Sequence, residues 1–327
     1  MARRLSVTVE RFPLISAFTI SRGSKTEAVV VKVSISDEYG SGHGECVPYS
    51  RYGETVESVV QSIELMRTGI ESGASRRSLA QDMAAGAARN ALDCALWDLE
   101  AKSNGTNIEQ LLGVLPARPV DTAYTISLDT PAAMAANASK MAHRTVLKIK
   151  VGGENDADRM RAVRAAARNT RLIIDANEGW TPDNIRQNMR AAAAIHASLV
   201  EQPLPAGQDD LLARIPHPVP ICADESVHQT RDLDKLCGRY DYVNLKLDKT
   251  GGLTEGLEFM TYARKLGFGV MVGCMVGTSL AMAPALILAQ DADFVDLDGP
   301  LLLAKDRPNG LFYGPSTVSP PEPALWG

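Results

Sequence analysis

The chain has 327 residues, 45% of them hydrophobic and 22% charged, with a formal net charge of −5. Those values suit an ordinary soluble enzyme with room for two domains, or for one barrel with a cap. They leave no basic run of the kind a nucleic-acid binder carries, no apolar stretch long enough to span a bilayer and no C-x-x-C among five scattered cysteines.

Small molecules are therefore the partners to expect, and reduced thiols in a cytoplasmic protein. The five histidines are scattered too, which argues against a histidine-rich zinc site.

Two arginines follow Met1, but no apolar signal core comes next. Leu5, Val7 and Val9 alternate with polar residues and predict a strand over 5–10; the β-prone Ala28-Val-Val-Val-Lys-Val predicts another over 28–36. Tyr39-Gly-Ser-Gly-His-Gly44 reads as a turn. Helices are expected over 55–67 and over 84–102, where Ala88, Ala91, Leu92, Ala95, Leu96 and Leu99 recur at helical spacing until Asn104-Gly105. Leu115-Pro-Ala-Arg-Pro119 looks like a linker.

From about residue 120 short β-prone runs alternate with alanine-rich helical stretches. The runs are 122–127, 146–151, 172–176, 199–202, 221–224, 242–247, 270–273 and 294–297. Strand–helix alternation implies parallel β/α units, and eight such units imply a closed barrel of the (β/α)8 type. An open doubly wound sheet is the alternative, but no G-x-G-x-x-G follows the first strand of either half.

Alternate residues of a barrel strand face the interior. In Leu147-Lys-Ile-Lys-Val151 the apolar residues would pack outward, leaving Lys148 and Lys150 inside near the strand's C-terminal end. Two ammonium groups in a barrel mouth need anionic partners. The next three runs end in Asp175, Glu201 and Asp224, where barrel enzymes place reactive groups. Three converging carboxylates repel unless a cation neutralises them. An all-oxygen set favours Mg²⁺, with Mn²⁺ as the alternative. In Val243-Asn-Leu-Lys-Leu247, Asn244 and Lys246 would face inward. Runs two and six lie roughly opposite in an eight-strand ring, so Lys150 and Lys246 would flank the metal. Two bases on opposite faces suit removal and return of one proton. Lys148 would add positive charge and help keep Lys150 partly neutral. Each feature also has a plainer reading: a K-x-K is often a solvated strand face, and a lone Asp at a strand end is often a cap.

Leu147–Lys150, Asp175-Ala-Asn177, Glu201-Gln-Pro203, Ala223-Asp-Glu-Ser226 and Asn244–Gly252 together resemble the enolase superfamily, in its muconate lactonizing subgroup. The resemblance spans nearly the whole chain. It implies a (β/α)7β barrel at 119–299 and an α+β capping domain at 1–118 completed by the tail 300–327. Within the subgroup the sequence is most similar to dipeptide epimerases, above all those acting on L-Ala-D/L-Glu. The feature behind this is Asp296-Leu-Asp298: both acids would face in, and in the family such a pair binds the free α-amino group of the dipeptide. A simple turn at Asp298-Gly-Pro300 is the competing reading.

The resemblance further implies that Arg22 meets the glutamate side chain, that Thr125 contacts substrate and that Cys274 and Met275 line the pocket. Arg51–Glu54 forms a second capping loop that could reach the mouth. The implied reaction is a Mg²⁺-dependent two-base 1,1-proton transfer through an enediolate, serving murein-peptide recycling. The partner would be a small dipeptide, with association into a homo-oligomer open. Other dipeptide specificities, N-acylamino acid racemisation, o-succinylbenzoate synthesis and cycloisomerisation use the same lysines and metal. A Schiff-base lyase or a catalytically silent barrel stands further off.

Overall fold

Alternation at the start of the chain does produce a strand, and a longer one than 5–10. In the computed structural model, which describes residues 3–327, β1 spans Arg4–Ile20 and β2 spans Gly23–Ser36. They pair antiparallel out to Ile20↔Gly23, with an irregularity between Pro13 and Phe18. The expected turn at 39–44 is corrected: β3 spans Ser41–Cys46 and pairs with β2. Its glycines act not as turn formers but as a smooth seat for a helix. A Cβ on Gly44 would lie 2.0 Å from the carbonyl oxygen of Ala91, and one on Gly42 2.1 Å from that of Ala95. The helix pressed there is Ala87–Ser103, close to the expected 84–102. The helix expected over 55–67 is Val56–Leu65, opened by a reciprocal Thr55–Ser58 cap and followed by the short Arg67–Glu71.

After a short β4 (Val120–Asp121), the eight expected runs form eight parallel strands: β5 (Tyr124–Ile126), β6 (Val146–Lys150), β7 (Arg171–Asp175), β8 (Leu199–Glu201), β9 (Ile221–Ala223), β10 (Tyr242–Leu245), β11 (Gly269–Gly273) and β12 (Phe294–Asp296). They hydrogen-bond in sequence order from β5 to β12. The ring is drawn together where the Ala123 amide donates to the Val295 carbonyl at 2.9 Å. Helices Pro131–Lys140, Asp156–Ala166, Ile185–Ala194 and Leu253–Lys265 cover the outside, while the β8–β9 and β9–β10 crossovers are single 3-10 segments, Asp210–Arg214 and Thr230–Leu236. Among the described residues no α-helix follows β12, only the short 3-10 turn Gly299–Leu302 before the tail, in keeping with a (β/α)7β barrel. A final β13 (Thr317–Val318) pairs with β4.

Period-two alternation sorts the strands. Leu147, Ile149, Leu172, Ile174, Val243, Leu245, Val270 and Val272 pack outward against the helices in the main core. Val146, Ile173, Leu199, Cys222, Met271 and Phe294 fill the bottom of the barrel with an apolar plug. Two residues further along, β6, β7, β8, the end of β9 and β12 place Lys148, Asp175, Glu201, Asp224 and Asp296 at the inward positions, while β11 places Gly273 there.

The tail returns to the cap. Arg307 donates to Glu45 from Nε and Nη2 at 2.9 and 2.6 Å, and Glu45 also accepts from the Thr278 amide. The indole of Trp326 donates to the Cys94 carbonyl. Among the described residues no helix is long and apolar enough to cross a membrane.

Gly44→Ala should destabilise the protein by about 3 kcal/mol or more, because strand and helix backbones must separate. Gly40→Ala, whose Cβ would meet only Lys102 Cβ at 3.5 Å, should stay within about 0.5 kcal/mol of wild type. Urea unfolding midpoints of the two variants check this; equal midpoints would contradict it.

Candidate active site at the barrel mouth

The charged residues singled out in the sequence sit where their strands run out. Lys150, Asp175, Glu201 and Asp296 are the last residues of β6, β7, β8 and β12; Asp224, Lys246 and Asp298 lie just beyond β9, β10 and β12. Lys148 stands one inward position below Lys150. All are buried. Lys148, Lys150, Asp224, Lys246, Asp296 and Asp298 line a cavity of about 370 Å³.

The acids and ammoniums alternate. Lys148 Nζ lies 2.7 Å from Glu201 Oε2, 2.8 Å from Asp296 Oδ2 and 3.0 Å from Asp175 Oδ2. Lys150 donates to Asp175, and Lys246 and Lys249 grip the two oxygens of Asp224 at 2.7 Å each. Burial pulls the ammoniums of Lys148, Lys246 and Lys249 down. For Lys148 the charges of Asp175, Asp296 and Glu201 override it and hold the ammonium well above its usual range, and for Lys246 Asp224 does the same. Lys249 goes the other way, lowered by burial in spite of Asp224. Asp175 is held low by Lys148 and Lys150 against its own burial, and Asp224 by its lysines. Three carboxyls at the barrel mouth remain in deficit, Glu225 among them, raised by burial and by Asp224 and Asp175 in spite of Arg22. Glu201 is pushed up to about 7 by burial and by Asp175, and Asp298 to about 7 by burial and by Asp296.

That deficit bears on a metal. The Asp175 and Glu201 positions are register partners across β7 and β8, and Asp224 follows the strand beside them. Glu201 Oε2 is buried and lacks a well-directed hydrogen bond, although Lys148 is within ion-pairing distance. Among the described residues no three acidic, histidine or cysteine side chains converge as they stand to hold an ion; Lys148, Lys150, Lys246 and Lys249 stand against the oxygens of Asp175, Glu201 and Asp224. By donor chemistry and uncompensated charge the carboxylates fit a hard divalent cation.

On the far wall Asp298 Oδ2 accepts from the Thr125 amide at 2.6 Å, and Asp296 Oδ1 is buried with no donor. Thr125, Cys274 and Met275 line the same cavity. So does Arg22, at the tip of the β1–β2 hairpin, which lies across the mouth. The Ser21 hydroxyl there donates to the Asn177 carbonyl, and the Leu128 amide donates to the Thr19 carbonyl. Arg22 donates to Asn177 O, Glu178, Glu225 and Tyr49. Arg51, from the second capping loop, grips Glu178 with Nε and Nη2 at 2.8 and 2.7 Å. Glu178 and Asn177 both adopt left-handed backbone, φ 67° and 43°, a conformation costly for residues with side chains.

Sequence reasoning gave no role to Lys249, Glu178 or Glu225. Lys249 lies three residues after Lys246, one helical turn on, a spacing that could have flagged it. Glu178 offered no signal before its partners from the cap were known.

Comparison with known proteins places these features. Residues 2–113 match the mandelate racemase / muconate lactonizing enzyme N-terminal domain, and residues 133–297 the enolase C-terminal domain-like family. The chain is 45% identical over 306 residues to the L-Ala-D/L-Glu epimerase of Escherichia coli K12, covering 93% of this chain and 95% of that protein. It is similar to the crystal structure of an enolase family member from Agrobacterium tumefaciens with homology to dipeptide epimerases, bound to sodium and L-Ala-L-Glu. That likeness has a TM-score of 0.98 and 58% identity over 99% of this chain and 100% of the other. A dipeptide epimerase from Enterococcus faecalis V583, complexed with Mg and L-Leu-L-Tyr, superposes with a TM-score of 0.91 at 30% identity, covering 98% of each chain.

Asp298 yields a pH test. Because its folded pKa is raised, the stability tied to its protonated form is complete below an unfolded aspartate's pKa of about 3.9. It is lost as pH rises through about 7. Asp298→Asn carries no charge at any pH. Its Tm relative to wild type should therefore rise between pH 5 and pH 8 in the absence of substrate; a constant difference would contradict the assignment.

Proposed function

This chain belongs to the enolase superfamily, in its mandelate racemase and muconate lactonizing branch, and is an isomerase of the racemase and epimerase kind; from that premise we propose that it is a Mg²⁺-dependent dipeptide epimerase acting on L-Ala-D/L-Glu. The observation that carries the proposal is the pairing of two features in one cavity. Lysines reach in from β6 and from the end of β10, four positions apart in the ring, and a buried carboxylate pair with a free acceptor, Asp296 Oδ1, faces the same space.

Asp175, Glu201 and Asp224 would hold the cation. Bound Mg²⁺ supplies a Lewis acid that stabilises negative charge gathering on the substrate carboxylate. The rest of the chemistry falls to the chain. One of Lys150 and Lys246 accepts the α-proton of the C-terminal residue at Nζ, and the C–H electron pair delocalises into the carboxylate as an enediolate. The other lysine delivers its own proton to the opposite face, and the stereocentre inverts. Each lysine must be neutral when it acts as base and protonated when it acts as acid. Lys148 stays an ammonium and shares the developing charge. Asp296 and Asp298 receive the substrate's free α-ammonium, with Thr125 fixing Asp298 and Cys274 and Met275 lining the pocket. The cationic rim around Arg22 suits an acidic second residue. Recovery of cell-wall peptides in the cytoplasm is the setting we propose.

Proton NMR in D₂O with Mg²⁺ and a dipeptide panel should show deuterium entering the α-position of the C-terminal residue, fastest for L-Ala-L-Glu or L-Ala-D-Glu. Exchange in no dipeptide would refute the proposal, and EDTA should stop it. Lys150→Ala and Lys246→Ala should each lower epimerisation by at least about 100-fold, while one stereoisomer in each variant keeps slow exchange from the remaining base. If either variant epimerises normally, the two-base scheme fails. Asp296→Asn with Asp298→Asn should cripple turnover of free-amine dipeptides far more than that of N-acetyl-glutamate; equal losses would remove the ammonium site.

A further inference from the structure

We infer that the cap helix Ala87–Ser103 positions one of the two proposed bases: Asn90, acting through Asp248, fixes the turn that carries Lys246, while Lys150 takes its place from the barrel sheet. The inference rests on the epimerase proposal and makes Asn90 and Asp248 positioning residues for proton transfer on one face of the substrate.

The two lysines are built into the fold differently. Lys150 is the last residue of β6 and keeps a register partner, Asp175, across the ladder; the Val151 amide beyond it still donates to the Asp175 carbonyl at 2.9 Å. Lys246 lies one residue past β10, whose pairing ends at Leu245↔Val272 on one side and at Val243↔Ala223 on the other. Its backbone is held instead by the short helix Leu247–Thr250: the Lys246 carbonyl accepts from the Lys249 and Thr250 amides at 3.0 Å each. A shift of that turn therefore carries Lys246 with it.

The turn is gripped from the cap. Asp248 Oδ1 accepts from the Asn90 side-chain amide at 2.8 Å and from the Val47 amide, just after β3, at 3.1 Å. Arg89 donates to the Thr250 carbonyl at 2.6 Å, and Asp93 accepts from the Thr254 amide and hydroxyl at 2.9 and 2.6 Å. Residues 89, 90 and 93 lie on one face of the helix by their spacing. The approach is close: a Cβ on Gly251 would lie 2.4 Å from Arg89 Nε, and one on Gly252 2.4 Å from Asp93 Oδ2. Arg89, Asn90, Asp93 and Asp248 are all buried, so a lost partner leaves a polar group unsatisfied. The charges acting on Asp248 are those of the acids Glu54 and Glu45; it serves the cap as an acceptor oxygen rather than as half of an ion pair. Proton transfer demands a near-exact distance from Nζ to the α-carbon. Loosening the Asn90–Asp248 contact should therefore blunt Lys246 and spare Lys150.

The test is the initial rate at which L-Ala-L-Glu and L-Ala-D-Glu, each alone with Mg²⁺ in D₂O, lose the C-terminal α-proton signal. Lys246→Ala identifies the epimer that Lys246 serves. Asp248→Ala and Asn90→Ala should slow exchange of that same epimer by about tenfold or more and spare the other. Asp248→Asn, which keeps an oxygen at the Oδ1 position, should restore the rate. Arg307→Met, which breaks the cap's separate clasp on Glu45, should lower Tm and leave the ratio of the two rates unchanged. If Asp248→Ala does not fold, Asn90→Ala carries the same expectation. Equal slowing of both epimers, slowing of the other epimer, no slowing, failure of Asp248→Asn to restore the rate, or a shifted ratio in Arg307→Met overturns the inference and leaves the epimerase proposal standing. Absence of exchange of either dipeptide by wild type overturns both.

Discussion

Carboxylates crowded at the end of a closed ring of strands must be neutralised from within, and the rest of the site follows from that constraint. The parallel strands leave an apolar plug below, and the acids themselves are buried. Lysine ammoniums interleave with the acids, yet Glu201 and Asp298 remain raised to about 7. A shortfall of positive charge at two separate points, one among the strand-end acids and one at the Asp296–Asp298 pair, matches a dication at the first and a substrate ammonium at the second. The same electrostatics thus bear on cofactor and on substrate.

The cap serves this centre through a few strong contacts. Glu45 joins β3, Thr278 and Arg307, so cap, barrel and tail share one buried carboxylate. Losing one partner of such a pair typically costs about 3–5 kcal/mol. Nearer the mouth, Arg22 and Arg51 reach down to Glu178, whose left-handed backbone the loops after β7 and β8 hold in place. The hairpin tip is thus fastened by ion pairs and hydrogen bonds, while its Phe18 packs on the apolar cluster that holds Met275.

Much of the barrel was legible because its signal is local. β-prone runs alternating with helical stretches marked all eight strands, and period-two alternation told inward Lys148, Lys150, Lys246 and Asp296 from their outward neighbours. The capping region was harder. Tyr39–Gly44 has turn composition, but Gly42 and Gly44 are there because a helix backbone lies against them, a contact between residues some 50 apart that no local pattern records. The site divides the same way. Strand-end acids announce themselves; Glu178 and Glu225 acquire meaning only when the hairpin folds over the barrel. The sequence does pair the inward lysines with the strand-end acids as a group, and Lys148 meets Asp175 and Glu201 while Lys150 meets Asp175; which acid each lysine takes was not legible, since a sequence shows which charges exist and not which partner each one chooses.

The most direct measurement is anomalous diffraction from crystals grown with Mn²⁺ and L-Ala-L-Glu. The account predicts one strong peak bounded by oxygens of Asp175, Glu201 and Asp224, with the Nζ atoms of Lys150 and Lys246 on opposite faces of the dipeptide's C-terminal α-carbon. A peak elsewhere, or both lysines on the same face, would contradict it.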